Sequence, residues 1–217
     1  MEPSVLATRI PKPTSTMRKA PSQARSRATI EAMLDAAAHI LGERGWAGIT
    51  TNAVAEVAGV SIGSVYQYFP NKLALIEAVR QRHYEEVLTV LRAATDEATP
   101  RARRIAAYVD GMIAVHSRSP TAHRVLMEEV PQSDATPPKG DAFKRNYQSG
   151  CEAFFNANAR HLHAGGSKLR AQVLAAAVAG IVHDAAHRGT LASPAMRQEL
   201  LALVEACLSR RESPAFG

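Results

Sequence analysis

The stretch Thr50-Thr51-Asn52-Ala53-Val54-Ala55-Glu56-Val57-Ala58-Gly59-Val60-Ser61-Ile62-Gly63-Ser64-Val65-Tyr66-Gln67-Tyr68-Phe69-Pro70-Asn71-Lys72 decides the fold. Thr50 and Ser61 each stand ahead of a short segment with apolar residues at helical spacing, where a hydroxyl can accept from the open backbone N–H groups of a first turn. Gly59 supplies the positive φ that ends the first of these helices, and Pro70 with Asn71 breaks the chain and recaps it. Two short helices joined by a tight turn meet the demands of a helix-turn-helix unit. Ala55 is small where the helices cross, Gly59 occupies the turn, and Val65 is the apolar anchor of the second helix.

Outward from this unit the pattern stays helical. Ile30, Leu34, Ala37 and Leu41 mark one face of a helix that begins near Arg27 and stops in the stretch 42–45. Leu73, Ile76, Val79, Val87, Leu88 and Leu91 predict a long fourth helix ending near Pro100. Ile105 to His116 gives a fifth, Ala122 to Val130 a short sixth, and Pro131 to Gly140, with three prolines, a loop. Phe143 to Phe155 marks a seventh helix, Lys168 to about His187 an eighth, and Pro194 opens a ninth. No strand pattern and no repeat interrupts this reading. The expected fold is all-α with about nine helices, divided into a flexible basic arm (1–24), a helix-turn-helix domain (25–70) and a second helical domain (71–217).

Composition narrows the class. The 217 residues are 46% hydrophobic but only 5% aromatic, and alanine-rich runs such as Ala175-Ala176-Ala177 favour helices over a β-sandwich. Two cysteines, Cys151 and Cys207, cannot build a disulfide framework or a four-cysteine zinc site, which points to a reducing, cytoplasmic compartment. The longest apolar run, Val173 to Val182, is half the roughly 20 residues that span a bilayer, and no signal peptide or membrane partner is expected. Net charge is +6, and residues 1–30 hold Arg9, Lys12, Arg18, Lys19, Arg25 and Arg27 against Glu2 alone. An excess concentrated in an arm ahead of a folded domain suits nucleic acid.

Residues 27–79 resemble the DNA-binding domain of the TetR family of transcriptional regulators. The resemblance rests on Ala37-Ala38, Glu43-Arg44-Gly45-Trp46, Thr50-Thr51, Val54-Ala55, Ala58-Gly59-Val60-Ser61, Gly63-Ser64-Val65-Tyr66, Tyr68-Phe69 and Asn71-Lys72. Trp46 stands where Tyr or Phe is usual, and Ile49 where Thr is common. The resemblance implies that the helix opened by Ser61 enters the major groove of a double-stranded operator. There Gln67 would read an adenine edge, Ile62 would touch a thymine methyl, Ser64 would offer a hydroxyl, and Gly63 would leave room for close approach. Thr50, Thr51 and Asn52 would meet phosphate oxygens at the start of the preceding helix, while Tyr66, Tyr68 and Lys72 would clamp the backbone from the other side and Arg27 would add charge. No charged residue lies between Ile62 and Tyr68, so much of the electrostatic affinity must come from the arm and Lys72.

The remaining helices imply a ligand-binding and dimerisation domain. Small residues of the eighth helix, Gly180 among them, and the apolar stripe of the ninth would pair with their copies in a homodimer. Tyr108, Met112, His116, Met127, Phe143, Tyr147, Phe154 and Phe155 are the expected lining of a pocket for a small-molecule effector. His183 and His187 are four apart with Asp184 beside them, which is half a metal site, and they read as ordinary polar partners with no cofactor or metal expected. Cys151, among aromatic residues, reads as buried and inert. The resulting function is a ligand-responsive transcriptional regulator, most simply a repressor released from a palindromic operator, and no enzyme. The alternatives are a metal-dependent enzyme built on His183, Asp184 and His187, or an architectural DNA-binding protein without a ligand.

Overall fold

The computed structural model describes residues 24–130, 139–160 and 167–209. Within them lie nine helices: α1 (Ala24–Gly48), α2 (Thr51–Val57), α3 (Ile62–Tyr68), α4 (Lys72–Ala93), α5 (Arg101–Ser117), α6 (Pro120–Glu128), α7 (Lys139–Asn158), α8 (Ser167–His187) and α9 (Pro194–Ser209). No strand occurs among the described residues. The arm as far as Gln23, the loop residues 131–138, and His161 and His163 lie outside them.

α1 is interrupted at Gly45, whose φ of 65° breaks the helical path within the stretch where its end is expected. The expected boundaries shift at two other places. α4 ends at Ala93, short of Pro100, because polar side chains offer the backbone other partners. Thr95 Oγ1 donates to the Arg92 carbonyl at 2.8 Å, and Asp96 Oδ1 accepts from the Ala98 amide at 3.1 Å. Lys139 and Gly140 are already helical, so the loop expected to reach Gly140 stops before them.

Packing forms two cores that meet along α4. In the first, Met33, Ile40 and Leu41 of α1 enclose Val54, Val65 and Phe69 together with Leu75 and Ile76 from the start of α4. Ala122, Val125 and Leu126 of α6 belong to this same core, although α6 lies far along the sequence. The second core joins Val87, Leu88 and Leu91 of α4 to Tyr108 and Met112 of α5, Phe154 and Phe155 of α7, and the inner faces of α8 and α9. Packing therefore does not divide at residue 70. Arg80, buried on α4, reinforces the crossing by donating to the Leu126 carbonyl at 3.1 Å and the Val130 carbonyl at 3.4 Å, beyond which α6 has no further turn to accept from. On the surface side Arg82 pairs with Glu31 and Asp35 of α1 at 3.0 and 2.7 Å.

α8 has the length and apolar content of a bilayer-spanning helix. Its Leu174, Val178 and Val182 are nonetheless buried in the second core. The opposite stripe is open: Leu169 and Val173 are 66% and 57% exposed, and a Cβ built on Gly180 would meet nothing within 4 Å.

Candidate functional site

The two helices of the turn unit are set by their caps. Thr50 Oγ1 accepts from the Ala53 amide at 3.1 Å to start α2, and Ser61 Oγ accepts from the Ser64 amide at 3.1 Å to start α3. Between them Gly59 takes φ 66°, a conformation that a side chain would resist. Val54, Ala55 and Val65 are buried at the crossing, which fixes the roll of α3.

That roll sorts the expected contact residues. Ile62, Gly63, Tyr66 and Gln67 fall at positions that share the outer face of α3, and all four are exposed, Ile62 at 38% and Tyr66 at 45%. Ser64 is half-buried, and its hydroxyl lies 2.8 Å from Ser61 Oγ, so both serines serve the cap. Thr51 Oγ1 lies 3.2 Å from the Tyr66 hydroxyl, tying the start of α2 to α3. Asn52 and Arg27 are exposed. Lys72 Nζ sits 4.2 Å over the Trp46 ring in a cation–π arrangement and donates to the Trp46 carbonyl at 3.5 Å. Thr50, Thr51, Tyr66 and Lys72 together border a cleft of about 290 Å³.

Tyr68 departs from the expected backbone clamp. It is 7% exposed and belongs to the first core, because it follows Val65 by three residues and so shares its inward face.

The expected pocket residues divide among three surroundings. Tyr108, Met112, Phe154 and Phe155 lie in the second core, with the Tyr108 and Phe154 rings stacked at a centroid distance of 4.3 Å. Phe143 and Tyr147 are half-buried against it, and Phe143 stacks on Tyr84 at 3.8 Å. The Tyr147 hydroxyl is buried without an oxygen or nitrogen partner, beside the Cys151 thiol, which burial pushes up to about 11. Met127 borders a groove of about 560 Å³ between α6 and α8, together with His123, Glu128, His183, Asp184 and His187.

His116 belongs to a different constellation. His83 of α4, His116 of α5 and His123 of α6 each offer a ring nitrogen, and all three atoms lie within 4.8 Å of one another. His83 Nε2 and His123 Nε2 are 3.2 Å apart, and His116 Nδ1 donates to the Met112 carbonyl at 2.8 Å. The His183 ring of α8 stands 5.2 Å from that of His116 and 4.9 Å from that of His123, at the rim of the groove. Burial lowers the pKa of His83 to about 2, helped by its histidine neighbours and Arg118, and lowers His123 to about 3 and His116 to about 4. His183 is lowered by burial and raised by Glu128. His183 and His187 both border the groove, and His183 turns to His116 and His123, which come from other helices with no short motif to join them.

Comparison with known proteins agrees with this geometry. Residues 33–79 match the family described as bacterial regulatory proteins, tetR family, and residues 102–208 match the tetracyclin repressor-like C-terminal domain. The chain is 30% identical over 96 residues to the HTH-type transcriptional activator FasR of Mycolicibacterium smegmatis, covering 44% of each chain. It is 36% identical over 55 residues to the HTH-type transcriptional repressor KstR of the same organism, 25% of this chain and 27% of that one. The chain thus spans less than half the length of these curated relatives. Among solved structures, a SmeT–triclosan complex aligns with a TM-score of 0.56 at 27% identity, over 82% of this chain and 88% of that one. SmeT, the repressor of the Stenotrophomonas maltophilia multidrug efflux pump SmeDEF, aligns at 0.62 and 22% identity, over 84% and 90%.

Proposed function

Because this chain belongs to the TetR family of bacterial regulatory proteins, we propose that it is a ligand-responsive transcriptional regulator that binds double-stranded DNA as a cytoplasmic homodimer. The observation that carries this reading is the outer face of α3, where Ile62, Gly63, Tyr66 and Gln67 are exposed while Val65 and Tyr68 anchor the helix. A projecting, uncharged helix with a carboxamide and an apolar tip suits base edges in a major groove. Thr50, Thr51 and Lys72 flank it with the hydroxyl and ammonium groups that phosphates require, and the basic arm adds charge from the sequence side.

Mechanism follows from the shared core. An effector held between α4 and α8 changes operator affinity only by binding one arrangement of the domains more tightly than the other. α4 belongs to both cores, and α6 joins the helix-turn-helix core while lining the groove against α8, so a displacement of either re-aims α3. Release of a repressor by its effector is the form we favour, in keeping with the names of KstR and SmeT. The open stripe of α8 is the dimer face, and two copies of α3 would then meet a two-fold symmetric site, while the apolar stripe of α9 expected to join it is largely buried in the second core through Leu200, Val204 and Leu208.

Selection of bound duplexes from a random pool by the full-length protein tests the reading. One enriched motif is the expected result, and a pool that stays random after repeated rounds contradicts it.

A further inference from the structure

We propose that His83, His116 and His123 form a binding site for a divalent transition-metal ion of the zinc type, with a fourth coordination position left to water or to His183, whose ring stands 5.2 Å from that of His116 and 4.9 Å from that of His123. This deepens the regulator reading, and rests on it in one respect: the metal ion is then the effector, or an obligatory part of it.

The geometry is close to what such an ion needs. Tetrahedral zinc with bonds of about 2.0–2.1 Å to imidazole sets its ligand nitrogens about 3.3 Å apart. The His83 and His123 nitrogens are already at 3.2 Å, and that of His116 lies within 4.8 Å of both. Small ring rotations close the remainder. The bond from His116 Nδ1–H to the Met112 carbonyl fixes the tautomer that keeps a lone pair on Nε2, the second-sphere arrangement that orients a metal-binding imidazole. Only neutral imidazoles converge here, with no carboxylate among the three, so the site suits borderline ions such as Zn²⁺, Co²⁺ or Ni²⁺ and not Mg²⁺ or Ca²⁺.

A structural explanation fits less well. Four imidazoles gathered beside an apolar core share few hydrogen bonds: His83 pairs with His123, His116 binds a backbone carbonyl, and hydrocarbon side chains would fill the space without desolvating nitrogen. The groove lined by Glu128, His183 and Asp184 offers an acidic approach from solvent.

Position gives the site leverage. The three ligands come from α4, α5 and α6. Three residues before His83, Arg80 holds the end of α6 through the Leu126 and Val130 carbonyls. An ion held by His83 and His123 fixes α6 against α4 at the spacing already present, and both helices support the helix-turn-helix core, so the filled site favours one arrangement of that core.

The test uses full-length protein treated with a chelator and titrated first with Co²⁺, then Zn²⁺. Expected are one Co²⁺ per chain, the visible absorption of a four-coordinate nitrogen site, its displacement by Zn²⁺ and no competition from Mg²⁺. His123→Ala and His83→Gln, both checked by circular dichroism, should each lose the absorption or weaken binding at least tenfold. Absence of that absorption in the native chain overturns the site, as does its persistence in folded variants. Anisotropy of a selected duplex, with and without saturating Zn²⁺, should differ several-fold in affinity. An unchanged affinity with the site filled overturns the effector role. A chain that binds Co²⁺ as described but enriches no DNA refutes the regulator reading and not the site.

Discussion

Tyr66 and Tyr68 stand two residues apart on a seven-residue helix and do opposite work. Tyr66 faces outward with its hydroxyl beside Thr51, whereas Tyr68 fills the core under α3. Replacing Tyr68 with Ala should destabilise the protein by about 3–5 kcal/mol, the range for removing a buried aromatic. Tyr66→Ala should cost under about 1 kcal/mol in stability and act instead on DNA affinity. Urea denaturation of both variants checks this, and equal losses would remove the distinction. A second residue-scale expectation concerns the metal-free histidines. His116 is held neutral in the folded chain to about pH 4, whereas unfolded histidine protonates near 6.5. Between these values the unfolded chain binds protons that the folded chain does not, so stability falls as pH falls. Each such histidine adds up to about 1.4 kcal/mol per pH unit, and His116→Gln should flatten the slope by that amount in denaturation curves taken from pH 7 to 4. At this scale the sequence was readable where a role depends on a cap, as at Thr50 and Ser61. It offered His116 only as one pocket residue among several and was silent on its meeting with His83 and His123, because residues on separate helices meet only through tertiary packing.

Helices α4 and α5 approach each other closely at Gly111. A Cβ there would come within 2.7 Å of both Val90 methyl carbons, so Gly111→Ala inverts the usual helix gain of about 1 kcal/mol from such a change. A net loss of about 1–3 kcal/mol is expected from overpacking, read as a shift in the denaturation midpoint, and a more stable variant would show that the helices part freely. Gly180 is the opposite case. A Cβ there would meet nothing within 4 Å, so Gly180→Leu should leave the protomer's helicity unchanged while weakening self-association. Sedimentation at micromolar concentration checks it: a native dimer and a weakened variant are expected, and a native chain that sediments only as a monomer would dismiss α8 as the dimer face. Most elements were legible from apolar spacing and caps. The early end of α4 was not, because it depends on the side-chain bonds of Thr95 and Asp96. Nor was the membership of α6 in the first core, since periodicity reports which face of a helix is buried and not what buries it.

Across the whole molecule the two cores share α4, while α6 packs in the first core and lines the groove against α8, so the helix-turn-helix unit and the C-terminal helices are parts of one packed body. Arg80 and Arg82 hold this junction from inside and outside, one by backbone carbonyls of α6 and the other by carboxylates of α1. A dimer built on α8 places two copies of α3 under one two-fold axis, and base preference must then appear twice, in mirrored half-sites. The exposed carboxamide of Gln67 is the group with the means to set that preference. The decisive measurement is therefore the affinity of native and Gln67→Ala protein for a panel of single-base variants of the selected operator. Gln67→Ala should cost about 1–3 kcal/mol per half-site and erase preference at one base pair in each, symmetrically, with the other positions unchanged. A preference profile identical to that of the native protein would contradict the placement of the outer face of α3 against the bases.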